Sequence, residues 1–273
     1  MTLSLQSTRT LNDGHAMPLL GLGVWKSKGG DEVNAVRWAL QQGYRHIDTA
    51  AIYGNEEGVG RGIAGSDIPR GSIWVTTKLW NDDIRQGQAR AGLKKSLERL
   101  GLDYVDLYLL HWPVEGRLEA WRELEELQAE GLCRSIGVSN FMTEHLDELV
   151  AEAKVVPAVN QIELHPFLQQ RDVQTKCADL GIAVQGWSPL VQGKFRDEAL
   201  FETIGKAHNK TAAQVVLRWA VQHGIITIPK SANEGRIGQN ADLFDFELSA
   251  DEMTQVDALE RGERFADPRN ITF

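Results

Sequence analysis

The sequence is poor in cysteine, in long apolar runs and in net positive charge, and each shortage excludes a class of protein. Two cysteines among 273 residues cannot form a disulfide framework, so we expect a cytoplasmic protein. We also expect it to be a monomer. No run approaches the ~20 apolar residues that a membrane-spanning helix needs, and no export signal is recognisable. The formal charge of −9 argues against a nucleic-acid surface. We therefore expect neither a membrane nor a nucleic-acid partner.

A glycine-rich dinucleotide-binding turn is also missing. An open, doubly wound sheet usually carries such a turn after its first strand. Here Gly21 and Gly23 lack a third glycine, and Gly58, Gly60 and Gly62 fall inside a helical pattern. The second group therefore predicts close helix packing instead of a phosphate-binding loop. An open sheet remains the competing arrangement.

What the chain does contain is a regular alternation of short apolar runs and helical patterns. It predicts strands near 19–22, 45–48, 73–77, 104–110, 134–138, 157–161, 182–187 and 225–228. Helical patterns fall between and after them, near 31–42, 55–65, 86–99, 118–130, 143–152, 171–180, 211–223 and 234–243. Eight such units in a chain near the ~250 residues typical of the fold predict an α/β protein, a closed (β/α)8 TIM barrel. We expect residues 1–273 to form this single domain.

Two additions to the barrel are expected. Asp13-Gly14, flanked by apolar residues, is a strong turn signal and predicts an N-terminal β-hairpin over residues 10–18. Further helical patterns near 198–208 and 250–260 predict two extra helices.

Four titratable side chains lie at or just after three consecutive predicted strands. Asp48, Lys78 and His111 end three consecutive predicted strands, and Tyr53 follows Asp48 by five residues. In such barrels the active site lies at the carboxyl ends of the strands, so these groups should meet at one mouth. Taken singly, each is more often a cap, surface or core residue; taken together, they indicate a proton-transfer site.

The chemistry of this set is that of carbonyl polarisation. An ordinary tyrosine, with a pKa near ~10, is a poor acid at neutral pH, and a neighbouring Lys78 ammonium should lower the pKa of Tyr53. Asp48 can keep Lys78 charged, and His111 can hydrogen-bond a substrate oxygen. The set contains no obvious nucleophile, so a hydride cofactor is implied. We expect no metal, because no other His or Cys lies at ligand spacing and a lysine disfavours a cation.

The stretch 43–60 resembles the N-terminal signature of the aldo-keto reductase family. Similar motifs follow in the family's order, and the resemblance runs from about residue 10 to 260. Within the family the chain is most similar to the microbial 2,5-diketo-D-gluconate reductase and prostaglandin F synthase-like branch, on residues 50–60 and 156–166. The resemblance implies a barrel that binds NADPH/NADP+ without a glycine-rich motif. The later motifs lie at 77–80, 111–113, 137–141, 160–166, 187–190 and 228–231.

The resemblance also implies roles for particular residues. Asp48, Tyr53, Lys78 and His111 match the catalytic tetrad, with Tyr53 as general acid. Trp187 stands where a ring stacks on the nicotinamide and most relatives carry Tyr; either ring can stack. The other matches at the nicotinamide end are Ser139, Asn140, Gln161, Ser188 and Leu190; those at the 2′-phosphate and adenine end are Lys230, Ser231, Arg236, Gln239 and Asn240.

The residues matched to the 2′-phosphate are also supported by a physical argument that does not depend on the resemblance. Two cations, Lys230 and Arg236, and the Ser231 hydroxyl precede or open a predicted helix, whose N-terminus favours an anion. A solvated Lys/Arg surface is the alternative. Gln239 stands where relatives usually carry Glu, so its contact with the adenine is less secure.

Tryptophans mark the expected substrate pocket. Trp25, Trp80 and Trp112 each follow a predicted strand end, and the resemblance adds Ile52 beside them and His111 at the reacting oxygen. The connections after Trp112 and Leu190 and the tail beyond residue 262 are short, which predicts an open pocket for small carbonyl substrates. Small dicarbonyls, aldehydes and keto sugars such as 2,5-diketo-D-gluconate fit that description.

Two non-enzymatic roles exist for the same barrel: a cofactor-binding regulatory subunit and a structural protein. A regulatory subunit needs an interaction surface or an N-terminal extension, and about nine residues precede the predicted hairpin. A purely structural protein does not need the four catalytic side chains, so they could be replaced by other residues. The intact tetrad favours a reductase.

Overall fold

The computed structural model describes residues 3–271, in which eight parallel strands form a barrel surrounded by helices. The barrel strands follow one another in sequence order from β3 to β10, and each pairs with the next. They are β3 (Leu22–Gly23), β4 (His46–Asp48), β5 (Trp74–Leu79), β6 (Val105–Leu110), β7 (Cys133–Ser139), β8 (Val159–Glu163), β9 (Ala183–Trp187) and β10 (Ile226–Thr227).

The helices alternate with these strands, as the sequence pattern predicts. They are α1 (Asp31–Gln41), α2 (Glu56–Ala64), α3 (Asn81–Arg85), α4 (Ala89–Leu100), α5 (Arg117–Ala129), α6 (Thr143–Glu152), α7 (Arg171–Asp179), α8 (Ala199–His208), α9 (Ala212–Gln222), α10 (Glu234–Ala241) and α11 (Ala250–Asp257). The two expected extra helices are α8 and α11. The short α3 was not predicted.

The first and last strands meet, so the sheet is closed. Leu20 and Gly23 pair in parallel with Thr227 and Lys230. The Gly21 amide donates to the Thr227 carbonyl at 2.9 Å, and the Thr227 amide donates to Leu19 at 2.8 Å. These contacts confirm the barrel and exclude the open sheet. Of the predicted strand 19–22, only Leu22 pairs with β4, while Leu20 bridges to Thr227.

The N-terminal hairpin is present. β1 (Thr8–Thr10) and β2 (Ala16–Pro18) pair antiparallel, with Thr10 opposite Ala16. Gly14 takes a φ of 87° in the turn between them, a backbone conformation that glycine adopts without strain.

The glycines of α2 serve helix packing, as predicted. A Cβ on Gly60 would stand 2.1 Å from the Leu100 carbonyl oxygen at the end of α4. A Cβ on Gly62 would stand 2.7 Å from Val36 of α1. Side chains here would force the helices apart, so this motif is not a phosphate-binding loop.

The barrel strands are buried on both faces. Every residue of β5 and β6 is buried, because side chains fill the barrel and helices cover it. β5 extends two residues beyond its predicted end, since Lys78 and Leu79 pair with Leu109 and Leu110. Lys78 is the next-to-last residue of β5 and so lies at the strand end where the sequence places it. No helix in the part of the chain that the structure describes is long and apolar enough to cross a membrane.

Candidate active site

A cavity of about 760 Å³ opens at the carboxyl ends of the barrel strands. Asp48, Tyr53 and His111 lie on its wall. Lys78 lies behind that wall, fully buried, with its Nζ 5.1 Å from the centre of the Tyr53 ring. The four side chains that the sequence places at neighbouring strand ends are thus brought together.

Lys78 and Asp48 form a buried ion pair within this group of four side chains. Lys78 Nζ donates to Asp48 Oδ1 at 2.6 Å and to the Thr49 carbonyl oxygen at 2.7 Å. Burial alone would lower the pKa of Lys78, but the Asp48 carboxylate and the Tyr53 hydroxyl outweigh it and raise the pKa above its ordinary value. Lys78 therefore stays an ammonium at neutral pH.

Tyr53 ends a turn of 3-10 helix, Ala51–Tyr53, that follows β4. Burial raises the pKa of Tyr53 above 10.0, while the Lys78 charge and hydrogen bond lower it. Burial wins, so the net direction is opposite to the one expected from the sequence. The phenol consequently holds its proton at neutral pH, beside a cation that would stabilise the phenolate.

His111 is buried among aromatic rings. Its ring lies edge-on to Trp80 at 5.2 Å and to Tyr53 at 5.8 Å, and stacks with Trp112 at 6.3 Å. Burial and the nearby Lys78 charge hold the pKa of His111 well below 6.5. The imidazole is therefore neutral and can donate one hydrogen bond from one of its two nitrogens.

Next to it, a polar network follows the ends of β7, β8 and β9. Asn140 has a φ of 63° and donates from Nδ2 to the His111 carbonyl oxygen at 3.0 Å. Trp187 Nε1 donates to Asn140 Oδ1 at 2.8 Å, which orients the indole ring. Ser139 Oγ donates to the Gln161 carbonyl oxygen at 2.8 Å. These residues, together with Ser188 and Leu190, line the cavity.

The residues matched to the phosphate and adenine lie at and beyond the cavity rim. Lys230 is exposed on the cavity wall, and Ser231 follows it. Helix α10 begins three residues later, and its cap, Asn233, accepts at Oδ1 from the Arg236 amide at 3.0 Å. Arg236 is exposed on its first turn. Gln239, which is exposed, and Asn240, which is buried, follow on the same helix.

Aromatic and apolar side chains form the opposite wall. Trp80 is half-buried and Trp112 is buried, whereas Trp25 and Ile52 are 42% and 48% exposed. All four line the cavity. Large exposed apolar side chains at the rim of a pocket are typical of a surface that a ligand covers.

The structure adds wall residues that sequence reasoning missed. Lys26, Lys28 and Gln192 lie on the wall, and so do Phe265 and Ala266 of the C-terminal tail. The lysines could have been found, because both lie within three residues of Trp25. The tail residues gave no signal, because the contact that holds them is far away in sequence.

That contact is made by Glu163 at the end of β8. Its carboxylate, buried in the protein, accepts from the Phe265 amide at 2.9 and 3.0 Å and from the Ala266 amide at 3.4 Å. His165 Nε2 lies 3.1 Å from the same carboxylate. The tail is thereby fixed against the cavity.

No metal centre is visible in the described part of the protein. Within residues 3–271, no three His, Cys, Asp or Glu side chains stand close enough together to hold an ion.

Known proteins are similar to this chain in sequence and in fold. The sequence profile of the Aldo/keto reductase family matches residues 19–261. Glyoxal reductase of Bacillus subtilis is 50% identical over 266 residues, 97% of this chain and 96% of that protein. Methylglyoxal reductase DkgA of Escherichia coli is 46% identical over 259 residues, 93% and 94% of the two chains. An aldo-keto reductase of Bombyx mori, solved in complex with NADP, superposes with a TM-score of 0.91 at 37% identity, over 97% of this chain and 96% of that one. The chain belongs to the aldo/keto reductase family.

Proposed function

We propose that this protein reduces small aldehydes and ketones to alcohols, with a hydride from NADPH and a proton from Tyr53. The observation that carries the proposal is a phenol on the wall of a cavity, Tyr53, with the buried ion pair of Lys78 and Asp48 beside it. Relatives that are half identical or nearly so bear the names glyoxal reductase and methylglyoxal reductase. A solved relative is described as a complex with NADP.

The residues present fit this cofactor. The Trp187 ring is half-exposed on the cavity wall and suits stacking, and the Ser139, Asn140 and Gln161 side chains suit a carboxamide. Lys230, Ser231 and Arg236 would hold the 2′-phosphate near the N-terminus of α10. No carboxylate in residues 3–271 forms an ion pair with Lys230 or Arg236, so their charges are available to an anion. When bound, NADPH supplies the hydride.

The protein's own residues would stabilise and then neutralise the negative charge that develops on the carbonyl oxygen. Neutral His111 hydrogen-bonds that oxygen, and Tyr53 Oη transfers its proton as the oxygen becomes an alkoxide. Lys78 stabilises the phenolate that remains, and Asp48 keeps Lys78 charged. Because Lys78 and Asp48 are buried, their charges act more strongly than they would in solution.

For the substrate we propose small dicarbonyls and keto sugars, 2,5-diketo-D-gluconate among them. The apolar wall offers contact area and few hydrogen bonds, so little beyond the reacting carbonyl would be held specifically. The decay of NADPH absorbance with methylglyoxal, glyceraldehyde, a diketo sugar acid and a steroid ketone tests this. No turnover with any carbonyl would refute the proposed reaction; a preference of orders of magnitude for the steroid would refute the proposed substrate class.

Arg236→Ala should weaken NADPH binding and spare NADH binding. A charge-assisted hydrogen bond contributes roughly 1.5–3 kcal/mol, so the Kd for NADPH should rise about tenfold or more. Tryptophan fluorescence titrations with both cofactors measure this. The control is Arg122→Ala, since Arg122 pairs with Glu152 on the outer helices. Equal losses for both cofactors would show that Arg236 serves the adenine or the fold.

Phe265→Ala should relax selection against bulky substrates, because Phe265 forms part of the cavity wall. We expect kcat/KM for a bulky ketone to rise about tenfold relative to methylglyoxal, equivalent to ~1.4 kcal/mol. Phe246→Ala is the matched control, since that ring packs on His208. An unchanged ratio would show that the tail does not restrict the substrate.

A further inference from the structure

Gln185 lies beside the site without lining the cavity, and the reaction proposed above gives it no part. It belongs to β9, is fully buried, and stands opposite Gln161 of β8 in the strand register. Its Oε1 accepts a hydrogen bond from Gln161 Nε2 at 3.0 Å. Its Nε2 has no partner among the described residues.

The neighbouring carboxylate fixes which way both amides point. Gln161 Nε2 also donates to Asp48 Oδ2 at 2.7 Å. An ionised carboxylate only accepts hydrogen bonds, so the NH2 group of Gln161 must face Asp48. Both N–H bonds of that group are then used, one toward Asp48 and one toward Gln185. A flipped Gln161 would place its oxygen against two acceptors.

This orientation has consequences at both ends of Gln161. One N–H completes the bonding of Asp48, whose other oxygen accepts from Lys78. The Gln161 side chain is buried but lines the cavity, and no hydrogen bond to its Oε1 is found within residues 3–271. Because Gln161 lines the cavity, this oxygen faces it and can accept from an amide of a ligand.

We propose that Gln185 is a positioning residue, which holds the Gln161 amide with its nitrogen toward Asp48 and its oxygen toward the cavity. The inference rests on the proposed NADPH-dependent reduction, in which Gln161 would meet the nicotinamide carboxamide. Gln185 thus acts on cofactor binding and on Asp48 through Gln161, without touching either.

The test is Gln185→Met, which keeps the length of the side chain and removes the acceptor. The Kd for NADP+, measured by tryptophan fluorescence on the enzyme without substrate, should rise about fivefold. Gln185→Glu should bind like the wild type, because a buried carboxyl beside Asp48 takes up a proton and still offers a carbonyl oxygen. Should the methionine variant not fold, Gln185→Leu carries the same test.

Two further measurements separate positioning from a structural role. In a Gln161→Ala background, Gln185→Met should change the Kd less than about twofold, because the group it positions is gone. A weaker hydrogen bond to Asp48 should raise the pKa of that carboxyl, so the acid limb of kcat should move to higher pH in Gln185→Met. Thr227→Val is the control: Thr227 Oγ1 is buried and unpaired on the neighbouring strand.

The possible results are distinct. Wild-type Kd and acid limb in Gln185→Met would overturn the proposal. Equal weakening in Gln185→Met, Gln185→Glu and Thr227→Val would also overturn it, because strand stability alone would then explain the loss. If the wild type itself fails to bind NADP+, the proposed function falls, and this inference falls with it.

Discussion

Tyr53→Phe should lower kcat for methylglyoxal by at least ~10²-fold and by as much as ~10⁴-fold, the usual range for a general acid. The substitution keeps the ring on the cavity wall and removes only the hydroxyl. Its proton is the one that the alkoxide would receive, because the other acid on the cavity wall, Asp48, is bound by the Lys78 ammonium and the Gln161 amide. His111 cannot replace it, because its low pKa leaves the imidazole without a second proton to give.

The measurement is steady-state turnover together with NADP+ binding. We expect the Kd for NADP+ to stay within about twofold of wild type, since one hydroxyl on the substrate side is lost and ring contacts remain. Tyr104→Phe is the matched control, because Tyr104 packs on Arg70 and Arg134, well away from the cavity wall. Turnover like that of the wild type in Tyr53→Phe would contradict the assignment of the acid.

The fold was predictable because its signals are local. Helical periodicity, apolar runs and the glycines that follow helices recur at regular intervals, and a closed barrel is the arrangement that buries all the strands. Gly101 illustrates this: it follows α4 with a φ of 65°, where a side chain would be strained. The closure through Leu20 and Thr227 was predictable only as a consequence of the fold class, because no local pattern marks it.

The position of the candidate site was predictable for a related reason. Parallel strands direct their carboxyl ends to one edge, so residues at those ends meet whatever their separation in sequence. Asp48 and Lys78 are thirty residues apart and form an ion pair. The sign of the Tyr53 pKa shift was not predictable, because it depends on how far burial outweighs the Lys78 charge, and a sequence does not reveal burial at that resolution.

Two of the residues that sequence reasoning missed depend on contacts between distant parts of the sequence. Phe265 reaches the cavity because Glu163 holds the backbone of the tail, a contact between positions 102 apart. Gln185 would act only through Gln161. Neither residue is a titratable side chain at the end of a predicted strand. A search of the sequence for titratable groups at strand ends therefore does not find them.

Lys78→Met should lower kcat by ~10³-fold or more. The substitution removes the charge that stabilises the Tyr53 phenolate, and proton transfer from Tyr53 depends on that charge. Without the ammonium, burial and the Asp48 charge, which both raise the pKa of Tyr53, are no longer opposed, so that pKa should rise further. The phenol would then be a weaker acid, and any remaining turnover should persist to higher pH than in the wild type. The pH dependence of kcat measures this.

Lys78→Met also leaves Asp48 buried without its cation, and breaking such a pair costs about 3–5 kcal/mol of folding free energy. The double variant Lys78→Met/Asp48→Asn separates the two effects, because a neutral pair leaves no buried charge. It should recover much of the lost stability in thermal unfolding and none of the lost activity. Asp48→Asn alone should be less impaired than Lys78→Met, since the amide oxygen of asparagine can still accept from Lys78 Nζ. Recovery of turnover in the double variant would mean that Lys78 is needed for folding and not for the acidity of Tyr53.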